Sequence, residues 1–238
     1  MTVTRAMPRL TNREPDALLP ADLAPMLALV VGFVDTAVFV HMGGLFVAHV
    51  TGNVVLLGAT LVGATIGGAH GSLAGLQLAT FPIFVAAVAL AAMVASRLER
   101  VATTQLLWLS TLIITVSAAL AIADGSSDKL DQAVALLMVS AMGLLNAAHR
   151  LDTRLGPPFA VMTGNVTGLA IALAHAGRLA PHVTPEKGAG HLFTLVSTFT
   201  GGAALGAVTV GRFGLACLLL PALLLGTRLL IIRDRSVA

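Results

Sequence analysis

Two copies of one short motif, Thr51-Gly52-Asn53 and Thr163-Gly164-Asn165, stand in an otherwise strongly apolar chain. Threonine and asparagine favour helix starts, and glycine lets the backbone bend or another segment approach closely. A helix that begins inside a membrane points unpaired N–H groups and its positive dipole end at whatever lies ahead. Two such starts facing each other would offer donors and amides to a small polar or anionic solute. Thr51, Gly52, Asn53, Thr163, Gly164 and Asn165 are then the candidate binding residues. The structural alternative is that the threonines cap helices while the asparagines bridge the two copies.

Asp35 is the other group with chemical potential. It lies in an apolar stretch with no lysine or arginine nearby in sequence. A lone carboxylate at membrane depth costs a few kcal/mol or more, so Asp35 must be protonated, paired or facing water. It is the candidate proton-coupling residue. Asn146 occupies the matching place later in the chain and joins the candidate site as a neutral amide. An Asp35–Asn146 or Asp35–threonine bridge is the structural alternative. His41 and His49 flank the turn before the first motif, and His149 adjoins Arg150. No helical His-x-x-x-His or Glu-x-x-His spacing occurs, so no metal is expected. Arg97 and Arg212 read as snorkelling anchors.

The elements that position these residues follow from composition. Hydrophobic residues make up 57% of the 238 and charged residues 11%, against about a quarter charged in soluble domains. Between Thr36 and Ser96 there is no Asp, Glu, Lys or Arg, room for two or more spans of about 20 residues. The chain is therefore an integral membrane protein. A net charge of +3, with basic residues scattered singly, does not make a nucleic-acid surface. Cys217 is the sole cysteine and reads as a packing residue. Eight apolar segments are expected as helices: Pro25–Gly43, Val50–Gly67, Gly75–Ser96, Thr103–Ala123, Gln132–His149, Ala160–Gly177, Gly190–Gly211 and Phe213–Ile232. Nothing in the first 21 residues, with Arg5, Arg9 and Arg13, reads as a secretory signal, and a cytoplasmic tail is expected there.

The segments repeat. Gly32 to Ala37 matches Gly143 to Ala148, the two Thr-Gly-Asn motifs match, Phe84 to Ala91 matches Phe199 to Gly206, and Arg97 matches Arg212. The separation is 111 between Asp35 and Asn146 and 115 between Phe84 and Phe199. Four blocks in one order make a tandem repeat. The expected division is a tail over 1–24, a first membrane repeat over 25–123, an acidic connection over 124–131, a second repeat over 132–232 and an end over 233–238.

Gly32 through Asp35, Phe46, Thr51-Gly52-Asn53, Asn146 and Thr163-Gly164-Asn165 together resemble the YoaK-like family of bacterial inner-membrane proteins, a family of unknown function. The resemblance runs over nearly the whole chain from about Pro25. It implies a multi-pass protein of the bacterial inner membrane, in which transport is suspected.

Eight full crossings in parallel repeats, starting inside, would put Arg97, Arg100, Arg150, Arg154 and Arg212 outside, against the positive-inside bias. If the second and sixth segments enter and return, all but Lys129 and Arg212 of the 14 basic residues fall inside. The expected fold is then an all-α membrane protein of two inverted halves, three crossings each, plus two re-entrant segments. Interrupted segments at matching places in inverted halves mark transporter sites. The expected function is a secondary transporter or channel-like permease for a small polar or anionic solute. The alternative is a non-transporting assembly, stress or partner-binding factor. No Walker loop, Gly-x-Ser-x-Gly or His-Glu-x-x-His occurs, so neither an ATP-driven pump nor an enzyme is expected. The expected partners are the lipid bilayer and the solute, with a homo-oligomer left open. No cofactor and no nucleic acid are expected.

Overall fold

A computed structural model describes residues 23–63, 73–98, 102–124, 127–152, 155, 158–185 and 187–237. The tail arginines, Arg100, Arg154 and the end of the second expected segment lie outside the described residues. Among those described there are eight α-helices and no strand. They are α1 Leu23–Met42, α2 Val50–Leu61, α3 Ala74–Leu98, α4 Ala102–Asp124, α5 Asp128–Leu151, α6 Met162–Ala176, α7 Ala189–Phe213 and α8 Leu219–Val237. A 3-10 turn, Gly214–Leu218, joins the last two.

Five stretches are long and apolar enough to cross a membrane: α1, α3, α4, α5, and the run from Ala189 to Asp234 that holds α7 and α8. At about 1.5 Å per residue, the 12 residues of α2 and the 15 of α6 reach only about 18 and 22 Å. Both fall short of a hydrocarbon core of about 30 Å.

α1 is the hub. Asp35 apart, its buried faces are apolar, as a helix enclosed by others requires, and 67% of its apolar window is buried against 17% for α3. Lipid is as apolar as leucine, so helices inside a bilayer associate through close packing, for which small residues are suited. A Cβ on Gly202 would overlap the Leu29 carbonyl, one on Gly206 the Phe33 carbonyl, and one on Gly32 the Phe199 carbonyl. Leu29 meets Gly202 and Phe33 meets Gly206, so α1 and α7 run parallel along a backbone-to-backbone seam. Gly201, on the other side of α7, faces open space.

α5 packs on α3 in the same manner, with Gly143 against Phe84 and Ala87. α4 lies on α5 and α8, α2 on α3, and α6 on α7. Ser127 caps α5, its hydroxyl accepting from the Leu130 N–H at 3.3 Å. Asp128 and Asp131 fill the first turn, where the helix dipole favours acids. His41 Nε2, near the end of α1, lies 2.8 Å from Asp131 Oδ2. The end of α1 therefore meets the start of α5.

A candidate proton and solute site at two helix starts

α1 stops at Gly43 and Gly44, with φ of 69° and 126° that side chains rarely adopt. The Gly44 N–H donates to the Phe39 carbonyl at 2.9 Å, closing the helix end. The chain then doubles back along α1 as loop 43–49. Its backbone reaches Asp35, seven residues and about 10 Å before the helix end at Met42.

The loop stops there because Asp35 holds it. Asp35 Oδ1 accepts from the Val47 N–H and the Ala48 N–H, both at 2.7 Å. Asp35 Oδ2 pairs with His49 Nδ1 at 2.7 Å. Hydrogen bonds that involve a carboxylate are among the stronger ones. The carboxylate is only 4% exposed. The partner that its depth demands is thus a loop and an imidazole, not Asn146, whose Nδ2 donates to the Met142 carbonyl of its own helix at 2.9 Å.

His49 precedes α2 and sits between two rings, with centroids 6.4 Å from Phe46 and 5.7 Å from Phe199. Its side chain keeps 34% of its surface open.

Asn53 is fully buried and ties the same loop from below. Its Oδ1 accepts from the Phe46 N–H at 2.9 Å. Its Nδ2 donates to the Phe46 carbonyl at 2.7 Å and to Thr80 Oγ1 at 2.9 Å. Gln77 of α3 adds a bond from Nε2 to the Gly44 carbonyl at 2.8 Å. Gly52 is needed because a Cβ there would come within 2.7 Å of the Phe46 ring. That ring in turn stacks on Phe39 at 4.5 Å.

The second motif repeats part of this arrangement. Asn165, 4% exposed, donates from Nδ2 to the Pro158 carbonyl at 2.6 Å, again seven residues back. Proline has no N–H to return the second bond that Phe46 gives to Asn53. Thr51, Thr163 and Gly164 are exposed, and Gly52 is half-exposed. Neither threonine hydroxyl has a protein hydrogen bond among the described residues.

Sequence reasoning singled out Asp35, both motifs and Asn146 but did not pair Asp35 with His49. It also missed Gln77 and Thr80, whose one visible signal is that they are polar within an apolar helix. His41–Asp131 and the bond from Thr103 Oγ1 to Asp152 Oδ2, 3.0 Å long, were missed as well. Chemically, the cluster can exchange a proton at a buried carboxylate–imidazole pair and offer hydroxyls and helix-start N–H groups beside it.

A family model described as a protein of unknown function, DUF1275, matches residues 23–231. The chain belongs to that family. No curated protein and no solved structure matches it.

Proposed function

We propose that this member of the DUF1275 family is a secondary transporter or channel-like permease of a bacterial inner membrane, coupling a small polar or anionic solute to a proton. The observation that carries the reading is Asp35, a buried carboxylate in the middle of an apolar helix, bonded to a partly open imidazole. Intramembrane ionisable groups are costly and mark ion or proton paths. In this reading Asp35 is the coupling group. The solute lies between the two motifs, where Thr51, Thr163, the backbone of Gly52 and Gly164 and the amide of Asn146 offer contacts. Asn53 and Asn165 shape its walls. No catalytic residue, cofactor or nucleic acid enters, and the resemblance to YoaK-like proteins fits.

The frame we propose is a pair of inverted repeats, each with three crossings and one re-entrant segment, α2 or α6. Three observations support it. The seam Gly32–Phe199 and the seam Gly143–Phe84 join residues at matching repeat positions, each helix to the other repeat. His41–Asp131 brings the end of α1 to the start of α5, so the two matching helices run in opposite directions. Eight full crossings would set those ends on opposite faces, about 30 Å apart. Finally, α2 and α6 are short for a crossing.

The second reading, a non-transporting membrane factor, is favoured by one observation. Asn53 is wholly engaged in tying its loop to α3, through Phe46 and Thr80, as a scaffold residue would be. A thermal-shift screen of small polar and anionic solutes on purified protein separates the two. Transport predicts a stabilising solute whose effect depends on pH and weakens in Thr51→Val and Thr163→Val. A broad screen with no hit at any pH would leave the scaffold reading in place.

A further inference from the structure

We infer that the first motif rides on a hinged block, latched to α1 by Asp35, whose swing opens and closes the solute site. The block regulates the site of the transport reading and rests on that reading.

The block comprises loop 43–49, α2 and residues 74–81 at the start of α3. Four hydrogen bonds close it into one body. Asn53 of α2 binds both polar groups of Phe46 in the loop and donates to Thr80 of α3. Gln77 of α3 donates to the Gly44 carbonyl at the start of the loop. Each of the three elements is thus bonded to the other two. Asn53, Gln77 and Thr80 are all buried, so water does not compete for these bonds.

Both ends of the block meet the rest of the chain where the backbone can turn. Towards α1 lie Gly43 and Gly44, at φ of 69° and 126°, with no side chain to restrict rotation. Towards the rest of α3 lies Pro82, inside the helix. Proline has no N–H for the carbonyl four residues back, and its ring crowds that carbonyl, so helices kink at such a place. Past the proline, Phe84 and Ala87 pack on Gly143 of α5, in a different part of the bundle.

The bonds from the block across to α1 converge on one side chain, the helix-closing bonds of Gly43 and Gly44 aside. Asp35 takes the Val47 and Ala48 N–H groups at Oδ1 and meets His49 at Oδ2. Ring contacts accompany them, Phe46 with Phe39 and His49 with Phe199. In the transport reading Asp35 is the coupling group, so the residue that exchanges the proton is also the latch.

The second repeat is built without these parts. At the 115-residue separation that relates Phe84 to Phe199, Gln77, Thr80 and Pro82 fall opposite Leu192, Leu195 and Ser197. Two buried leucines replace the polar moorings, and a Cβ on Gly168 of α6 would lie 3.2 Å from Leu192 Cδ1. α7 contains no proline. Three matched differences confine the hinge to the first repeat. Thr51 and Gly52 ride on the block while Thr163 and Gly164 do not, so its swing changes the gap between the motifs.

The test uses the full chain in lipid nanodiscs, in a Cys217→Ser background, with pairs of spin labels at exposed positions. Val55→Cys with Leu78→Cys lies within the block, and Val55→Cys with Met93→Cys spans Pro82. Asp35→Ala removes the latch. It should lengthen and broaden the Val55–Met93 distribution and leave Val55–Leu78 unchanged. Adding Pro82→Ala, which restores the missing helix bond, should return Val55–Met93 to the wild-type distribution. The inference is overturned by a Val55–Met93 distance that ignores Asp35→Ala or a Val55–Leu78 distance that follows it. A broad distribution that survives Pro82→Ala overturns it equally.

Should Asp35→Ala fail to fold, hydrogen exchange at single amides of the unaltered chain decides. Val47 and Ala48, bonded across the latch, should exchange faster than Phe46, bonded inside the block. Pro82→Ala should slow the first two only. One common rate, or rates indifferent to Pro82→Ala, refutes the gate. A gate that swings in a protein with no solute hit sinks transport alone, and a solute hit with a block that never moves sinks the gate alone.

Discussion

The described residues ahead of the first motif and those ahead of the second are held by different partners. Loop 43–49 is fastened by Asp35 through two backbone N–H groups and His49, by Asn53 through two bonds to Phe46, and by Gln77. Around 158–161 the described residues show the Asn165 amide on the Pro158 carbonyl, the Asn165 N–H on the Val161 carbonyl and the buried Phe159 ring edge-on to His149. Two residue choices account for much of the gap. Asn146 stands where Asp35 stands and turns its amide onto its own helix. Pro158 stands where Phe46 stands and has no N–H to give.

Four changes would break or sharpen this contrast, beginning with the largest. Asp35→Leu strands two backbone N–H groups and a ring N–H in a buried place, at about 1–3 kcal/mol for each unsatisfied group. Folded protein should be lost, as read by size-exclusion yield in detergent, whereas Asn146→Leu should be well tolerated. Equal losses in the two would end the asymmetry. Asp35→Asn is gentler, because its oxygen can still take both backbone N–H groups and its NH₂ can donate to Nδ1 of a ring protonated at Nε2. That variant should fold and lose proton coupling.

Next comes the seam. Gly202→Ala sets a methyl against the Leu29 carbonyl, and overpacking of this kind costs about 1–3 kcal/mol. Gly143→Ala meets chiefly the Ala87 methyl, at 2.9 Å, and should cost less. Gly201→Ala should leave the melting temperature unchanged, and a drop there matching that of Gly202→Ala would contradict the seam.

Third, Asn53→Leu orphans both polar groups of Phe46 and should destabilise by about 1–3 kcal/mol, while Asn165→Leu orphans a single carbonyl and should cost about 1 kcal/mol. The reverse order in thermal unfolding would disprove the account of the two loops. The smallest effect is expected from Pro158→Ala. It restores an N–H facing Asn165 Oδ1 but loses the proline's restraint on the unfolded chain, worth about 0.4–1 kcal/mol. Net stability should barely move, yet hydrogen exchange at the new amide should be slow. Fast exchange there would mean that the second loop does not copy the first.

The helices were legible in the sequence because each is an unbroken apolar run. The expected Pro25–Gly43 and Gly75–Ser96 became Leu23–Met42 and Ala74–Leu98. Gly214, at a φ of 54°, gives a visible reason for the break between α7 and α8. That Asp35 needed a partner was also legible, since burial of a charge sets the requirement. Which partner was not. His49 arrives only because two glycines reverse the chain, and an imidazole 14 residues away carries no spacing signal. The expected role of the asparagines was split between site and scaffold. Their distance to Phe46 and Pro158 is identical, but that regularity means nothing until the loop is seen to close on itself.

The glycine seam also sets a timetable. Gly32 and Phe33 cannot settle until Phe199 and Gly206 have been made, more than 160 residues later in the chain. At about 5–20 residues per second, the hub helix waits roughly 10 to 35 seconds in the membrane. During that interval its narrow glycine face is open to lipid or to any other passing helix. The first loop can fasten earlier, since Asp35, His49, Asn53 and Thr80 all precede α4. An early-knotted hairpin that shields its own acid, followed by a late arrival that completes the centre, would make a chain truncated before α7 a half-assembled species, sound at its polar heart and unfinished along its spine.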